Sequence, residues 1–360
     1  MKKRGMSGIK ADLQHSYGEE AAAIGGLSRQ MNVIPTGSLT LDYELGTGGW
    51  PLGYLFGVFG PRDIGKSSVI GMSAIRNAQQ MGLNAALIAM EPNFDAVWAN
   101  LHGVETEDEE TGLLVTYPEN GEQAFEMLHK LLRSGDVDLI VFDSIGALVS
   151  ESEAEEGGKK KVGGQAGLIT WGIKTAAPLA FRNNVAVMLL NQVRDDMKYR
   201  GPGSALQQPG GHALEHHESI IVQLKWGKDR YNTKIEGGDV EIGRQVLAHI
   251  IRNKMSQGSG KKAYFDFYSM QVEGYPFGID WVLDVVSIGK RLGIITTRGA
   301  WLDLPSGKSV NGIKAAAEHL RENPEEALLI REGVLRAMLD READARATEP
   351  EKKLKLLKQP

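Results

Sequence analysis

Residues 60–67 read Gly60-Pro61-Arg62-Asp63-Ile64-Gly65-Lys66-Ser67, a match to G-x-x-x-x-G-K-[ST]. That spacing suits phosphate chemistry. Backbone N–H groups of a glycine-bounded turn, and of the helix that opens after it, can surround phosphate oxygens. Lys66 would reach the β- and γ-phosphates, the Ser67 hydroxyl would ligate Mg²⁺, and Ser68 carries the turn into the helix. Two acids extend the pattern. Asp143 closes the apolar run 138–143, and a carboxylate at the C-terminal end of a parallel strand points at the ligand crevice. It is the second candidate Mg²⁺ partner, through water, with a helix N-cap beside Ser144 as the alternative. Glu91 ends the run 84–91 and could orient a water attacking the γ-phosphate. Strand-end glutamates are common, so the residue alone leaves that role open. Trp98 lies one turn beyond Asp95 and could stack on an adenine ring while Asp95 bonds the base amine. A core tryptophan and a helix cap are the plain alternatives.

These groups need strands behind them. The runs 55–60, 84–91, 138–144 and 185–191 are almost continuously apolar, as strands buried on both faces are. Between the second and third, residues 121–135 place Phe125, Leu128, Leu131 and Leu132 on one helical face, with Gly135 as the stop signal. Apolar runs at 219–226, 246–254 and 263–268 follow at closer spacing and read as further strands. Alternation of this kind predicts an α/β fold, with a mainly parallel central sheet and helices on both faces. The organisation expected is a helical segment over 1–33, an ATPase core over 34–270 and a small α+β domain over 271–340. Residues 341–360 carry six basic and four acidic side chains and read as a charged flexible tail.

The chain has 360 residues, 42% of them hydrophobic, enough for a sizeable core. A formal net charge of −5 excludes a basic coat for nucleic acid, so phosphate contacts must come from local patches. There is no cysteine, hence no disulfide and no thiolate metal site. The N-terminus starts with basic residues, but no apolar run follows to make a signal peptide, and no stretch is long enough for a membrane helix. The expectation is a soluble protein of the cytoplasm with no membrane partner.

Several segments, taken in order, resemble the RecA family of DNA strand-exchange recombinases. They are residues 36–53, the phosphate loop, residues 90–104, 120–148, 189–194, 209–214 and 250–256, and beyond them 299–325, which is similar to the family's small C-terminal domain. The likeness covers about residues 33–335. Its divergence from bacterial members suits a phage-type or otherwise distant recombinase, and the resemblance implies the cytoplasm of a bacterial cell or phage-infected host. The resemblance implies ATP and Mg²⁺ as cofactors and gives Glu91 the place of the catalytic glutamate. Trp98 stands for an aromatic residue that stacks on adenine, and Asp95 for an aspartate that contacts the base. Gln192 matches a glutamine that senses the γ-phosphate. Arg252 and Lys254 take the places of two lysines that reach the neighbouring subunit's γ-phosphate, positive charge supplied in trans where transition-state charge develops. Without the family, these two would read as an ordinary solvated strand end.

The resemblance also implies two DNA-binding loops, about 153–167 and 193–211. The first offers Lys160, Lys161 and Gly164, with Lys174 beyond it. The second offers Arg194, Lys198, Tyr199 and Arg200, cations and one ring suited to a single strand, then Gly210 and Gly211 for close backbone approach to phosphate. The implied activity is that of a DNA-dependent ATPase and homologous recombinase. It would form a helical homo-oligomeric filament on single-stranded DNA and exchange strands with homologous duplex DNA. Single-strand-binding and loading proteins are expected partners, and the N-terminal segment is the expected subunit-docking element. A hexameric helicase of the same fold, or a recombination mediator that binds nucleotide without pairing DNA, are the alternatives. Several positions differ from the family: Arg62-Asp63-Ile64 in the phosphate loop, Trp171 and Pro178 near family arginines that contact DNA, Glu215-His216-His217, and a C-terminal end that is not acidic.

Overall fold

The computed structural model describes residues 5–18, 22–23, 31–149, 164–192, 212–235 and 237–356. The chain divides into two compact units, Met1–Asn32 and Val33–Pro360. The first contains helix α1 (Met6–Tyr17), on which Met6, Ile9, Leu13 and Tyr17 form an exposed apolar stripe at spacings of three and four.

In the second unit, β1 (Val33–Ile34) and β2 (Trp50–Pro51) pair across α2 (Leu39–Leu45). The main sheet contains β3 (Leu55–Gly60), β4 (Ala85–Ala89), β5 (Leu114–Thr116), β6 (Leu139–Asp143), β7 (Ala186–Gln192), β8 (Ile220–Ile235), β9 (Gly238–Asn253), β10 (Lys262–Tyr268) and β11 (Gly278–Ile279). Their order is β11-β10-β9-β8-β3-β7-β6-β4-β5. Strands β5, β4, β6, β7, β3 and β8 are parallel, and β9 to β11 are added antiparallel. Helices α3 (Met72–Gln80), α4 (Ala96–Leu101), α5 (Gly121–Ser134), α6 (Gly164–Asn183) and α7 (His212–His217) lie between the strands in the chain.

Every residue of β3 and β4 is buried, which explains their unbroken apolar runs. Alternate side chains of each strand enter different layers. Val58, Val141 and Met188 pack with Ile70, Ile75 and Ala78 on the α3 side. Ile140, Phe142 and Leu189 pack with Phe125, Leu128 and Ile173 of α5 and α6 on the other. Each such side chain contributes roughly 2 kcal/mol on full burial. Helix α5 starts where Asn120 accepts a hydrogen bond from Gln123 N at 2.9 Å, and it ends at Gly135 in the left-handed region, φ 82°. Helices α5 and α6 approach closely because residue 172 is glycine: a Cβ there would lie 2.2 Å from the Phe125 ring.

Strands β8 and β9 form a long hairpin of 16 residues on each side. Only its inner halves carry an apolar signal. The outer half is largely exposed, so nothing in its hydropathy marks it as strand. The C-terminal part joins α8 (Trp281–Arg291), the antiparallel strands β12 (Thr296–Arg298), β13 (Trp301–Asp303) and β14 (Ser309–Asn311), α9 (Gly312–Glu322) and α10 (Pro324–Leu356). Its apolar cluster includes Val285, Leu302, Leu320 and Val334, and takes in Leu39 of α2. Polar contacts tie it to the core as well: Asp284 accepts from Ser38 Oγ at 2.6 Å and from Thr40 Oγ1 at 2.9 Å. Helix α10 continues through the stretch whose charge alone points to a mobile tail. The Ala, Arg, Glu and Lys that dominate 341–356 are also strong helix formers. Among the described residues, no helix is long and apolar enough to cross a membrane.

Candidate nucleotide site and its flanking cations

The phosphate loop begins at Gly60, the last residue of β3, whose register partner on β7 is Gln192. A side chain at residue 60 would press against the Leu224 carbonyl, 2.8 Å from its Cβ. Pro61, Arg62 and Asp63 are exposed, while Ile64 is fully buried in the core beneath them. The unusual Arg62-Asp63-Ile64 sequence therefore contains an apolar anchor. Two residues take the left-handed region, Asp63 at φ 59° and Gly65 at φ 86°. Gly65 is required twice over, since a Cβ would also lie 2.3 Å from a Val69 methyl. After it, Lys66–Gly71 forms a π-helical turn that runs into α3 and carries Ser67 and Ser68 on its first residues. Lys66 is buried, and its Nζ donates to the carbonyls of Pro61 at 2.6 Å and Gly60 at 3.2 Å. Burial lowers the Lys66 pKa, and the charges of Asp143 and Asp63 oppose that shift.

Asp143 lies next to this loop. Its carboxylate accepts a hydrogen bond from the Ser67 side chain, and its pKa is raised, chiefly by burial. Glu91 pushes it the same way, while Ser67 and Lys66 oppose. Sheet register aligns these groups. Ala89 is opposite Asp143 across β4 and β6, Asp143 is opposite Leu190 across β6 and β7, and Met90 N donates to Asp143 O at 2.8 Å. Asp143, Gln192 and Gly60 thus end three adjacent parallel strands, and Glu91 follows two residues after the end of a fourth, β4, on the same side. Glu91 is exposed there, with Asn93 Nδ2 3.3 Å from its Oε2. A hydroxyl beside a carboxylate is the hard-oxygen pair that Mg²⁺ takes when phosphate and water complete its shell. Among the described residues no group of three His, Asp or Glu side chains could hold a metal. The Ser67–Asp143 pair fits an ion bound mainly through a nucleotide.

Asp95 caps α4, accepting from Val97 N at 2.9 Å and Trp98 N at 3.1 Å. Trp98, half-buried, meets Phe277 edge-on with ring centres 5.3 Å apart and His102 at 5.1 Å. His102 is neutral: burial and then Arg76 push its pKa down to about 4. The rings around Trp98 thus include Phe277, which the sequence pattern did not mark.

Arg252 and Lys254 lie at the end of β9, and both reach α7 of their own chain. Arg252 donates to the Glu215 carbonyl, with a Glu215 carboxylate oxygen 4.0 Å away, and Lys254 Nζ donates to the His216 carbonyl at 2.6 Å. The carbonyls at a helix C-terminus attract cations, which explains why they rest there. Lys174 is exposed on α6, and Gly164 is the first residue of that helix. Lys160, Lys161, Arg194, Lys198, Tyr199, Arg200, Gly210 and Gly211 lie outside the described residues.

One buried acid had no signature of its own. Glu218 is completely buried, its carboxylate lying against the middle of β3 where a Cβ on Gly57 would be 2.4 Å from Oε1. It raises the Lys254 pKa against the larger effect of burial. The available signal was Gly57, a glycine inside an otherwise apolar strand, which often marks close approach of another group.

Comparison with known proteins agrees with this geometry. A family model described as the RecA N-terminal domain matches residues 6–272. The chain is 35% identical over 309 residues to Protein RecA of Thermus aquaticus, covering 85% of each chain. It is 33% identical over 322 residues to Protein RecA of Saccharopolyspora erythraea, covering 89% of this chain and 88% of that one. With Protein RecA of Sulfurovum sp. the figures are 34% over 292 residues, 81% and 79%.

Proposed function

The chain belongs to the RecA family, and on that premise we propose that it is a DNA-dependent ATPase acting in recombination and DNA repair. It polymerises on single-stranded DNA as a helical filament, with ATP between subunits, and exchanges that strand with homologous duplex DNA. The reading is carried by the convergence of Lys66, Ser67, Glu91, Asp143 and Gln192 at the ends of four adjacent parallel strands.

Each residue then has a role that its chemistry supports. Backbone N–H groups of the loop bind phosphate oxygens, and Lys66 leaves the carbonyls of Gly60 and Pro61 to neutralise β- and γ-phosphate charge. Ser67 and Asp143 hold Mg²⁺, which when bound offsets phosphate charge. Glu91 orients the attacking water and receives its proton; its solvent-facing position suits a base that must meet water. Gln192 contacts the γ-phosphate and leads directly into the 193–211 loop, so one strand end links nucleotide state to the loop assigned to DNA. Arg252 and Lys254 leave their helix carbonyls to serve the neighbouring subunit's nucleotide. Trp98 stacks on adenine. Lys160, Lys161, Gly164, Lys174, Arg194, Lys198, Tyr199, Arg200, Gly210 and Gly211 bind DNA mainly through its backbone, so recognition is largely sequence-independent.

Electron microscopy with single-stranded DNA and a non-hydrolysable ATP analogue tests this reading. Helical filaments are the expected result. Closed hexamers would point to a helicase, and the absence of either would point to a nucleotide-binding mediator. Lys198→Ala combined with Arg200→Ala should weaken single-strand binding and lower its salt slope by about two.

A further inference from the structure

Helix α6 has an exposed ridge made by Trp171, Lys174 and Pro178, at spacings of three and four. Trp171 is 49% exposed, which is unusual for a ring mounted as firmly as this one. It meets Phe125 at 6.3 Å and 84°, and His129 at 5.4 Å and 89°, both near-perpendicular contacts. The mounting is built from below. Gly172 has no side chain, which lets α6 settle onto Phe125, and the Thr175 hydroxyl lies 2.8 Å from His129 Nε2. Burial and then Arg133 lower the His129 pKa, so the ring beneath the indole is uncharged at neutral pH. The indole is fixed in place, yet half its surface remains bare.

Its electrostatic surroundings are cationic. Lys174 is exposed one turn along the same ridge, about 4.5 Å further along the axis. His217 of α7 is close enough for its protonation to be opposed by Lys254, His216 and Lys174, after burial. Lys174 of α6 and Lys254 at the end of β9 thus both act on the same histidine of α7, and Lys174 shares its ridge with the rigid aromatic surface. An unpaired nucleotide needs this combination: a π surface for the base and an ammonium group one turn away for its phosphate. A duplex stacks its own bases and has no use for the indole, and an acidic peptide would use the cations but not the ring.

We propose that Trp171 stacks on an unpaired base of single-stranded DNA while Lys174 takes the adjoining phosphate, adding a stacking platform on α6 to the loops. This rests on the DNA-binding reading above, which already includes Lys174, and adds Trp171 as a contact to the base.

The test uses the full chain, a fluorescein-labelled oligothymidylate and a non-hydrolysable ATP analogue. Trp171→Ala should weaken binding about tenfold without changing its salt dependence, the effect expected of a lost stacking contact. Trp171→Phe keeps an aromatic ring and should retain most of the affinity. Lys174→Ala should lower the salt slope by about one. The oligothymidylate should also quench the emission of the natural chain, which has six tryptophans, more than that of Trp171→Phe. Three results overturn the proposal: affinity unchanged in Trp171→Ala; equal losses in Trp171→Ala and Trp171→Phe with no difference in quenching; or competition by polyglutamate as effective as by unlabelled oligothymidylate. If the natural chain itself binds no oligothymidylate, the DNA-binding reading falls and this contact with it. If it binds and only the Trp171 results fail, the DNA-binding reading stands alone.

Discussion

Lys254 donates from Nζ to the carbonyl oxygen of His216 at 2.6 Å, and Arg252 donates to the carbonyl just before it, that of Glu215. Two cations assigned to a neighbour's nucleotide are thus held by the C-terminal carbonyls of a helix in their own chain. Partners of this kind are weak enough to exchange for a phosphate, because a helix terminus contributes about 0.3–1 kcal/mol to an exposed cation. Lys254→Ala should lower DNA-stimulated ATP hydrolysis about 100-fold while leaving nucleotide binding to the dispersed chain intact. A mixture of inactive Lys254→Ala and Lys66→Ala chains should regain hydrolysis, since each supplies what the other lacks. No recovery on mixing would rule out action in trans.

Glu91 is exposed beside the half-buried, hydrogen-bonded Asp143, which suits the different work proposed for the two acids. Glu91→Gln keeps the shape but removes the proton acceptor. Steady-state hydrolysis should fall by about 10² to 10⁴ with nucleotide affinity nearly unchanged, and filaments should persist longer. Unchanged turnover would assign the base to another residue.

Lys66 is the one cation buried within the loop itself. Lys66→Ala should abolish nucleotide-dependent filament formation, read by electron microscopy and by binding of a fluorescent ATP analogue. Normal filaments in that variant would refute the phosphate-loop assignment.

Gly57 and Glu218 test the packing around the sheet. Gly57→Ala forces a methyl into the Glu218 carboxylate and should cost about 1–3 kcal/mol in urea denaturation. In a chain that also carries Glu218→Ala the same substitution should cost less, by at least about 0.5 kcal/mol. Additive effects would mean that the two residues do not meet.

Asp42 and Asp284 are both completely buried, and burial pushes each pKa up to about 7 from 3.8. A carboxyl whose folded pKa is raised stabilises the fold at low pH and loses that contribution as pH rises from about 4 through about 7. The midpoint of urea unfolding should therefore decline across this window. Asp284→Asn, which cannot ionise, should flatten the decline; an unaltered slope would show that the acid does not titrate there.

The phosphate loop was legible in the sequence because its function is local: Gly60, Gly65, Lys66 and Ser67 lie within eight residues, and the left-handed backbone at Gly65 demands a glycine. The strands behind it were legible because burial on both faces leaves an unbroken apolar run, and α5 because one face repeats at helical spacing. The outer hairpin was not, since strands exposed on both sides carry no apolar period. The continuation of α10 beyond residue 340 was hidden because the same residues favour both a solvated tail and a helix.

Contacts between residues far apart in the chain belong to the tertiary structure alone. Ser67 meets Asp143 only because β6 and β3 flank β7 in register. The Ile64 side chain is an anchor because the core lies beneath it, and Glu218 is buried because Gly57 has no side chain. Motif spacing and hydropathy act over a few residues, whereas burial and the pairing of polar groups depend on which strands become neighbours. The sequence by itself therefore determined the chemistry available at the phosphate loop. The fold decided which distant acids and cations stand beside it.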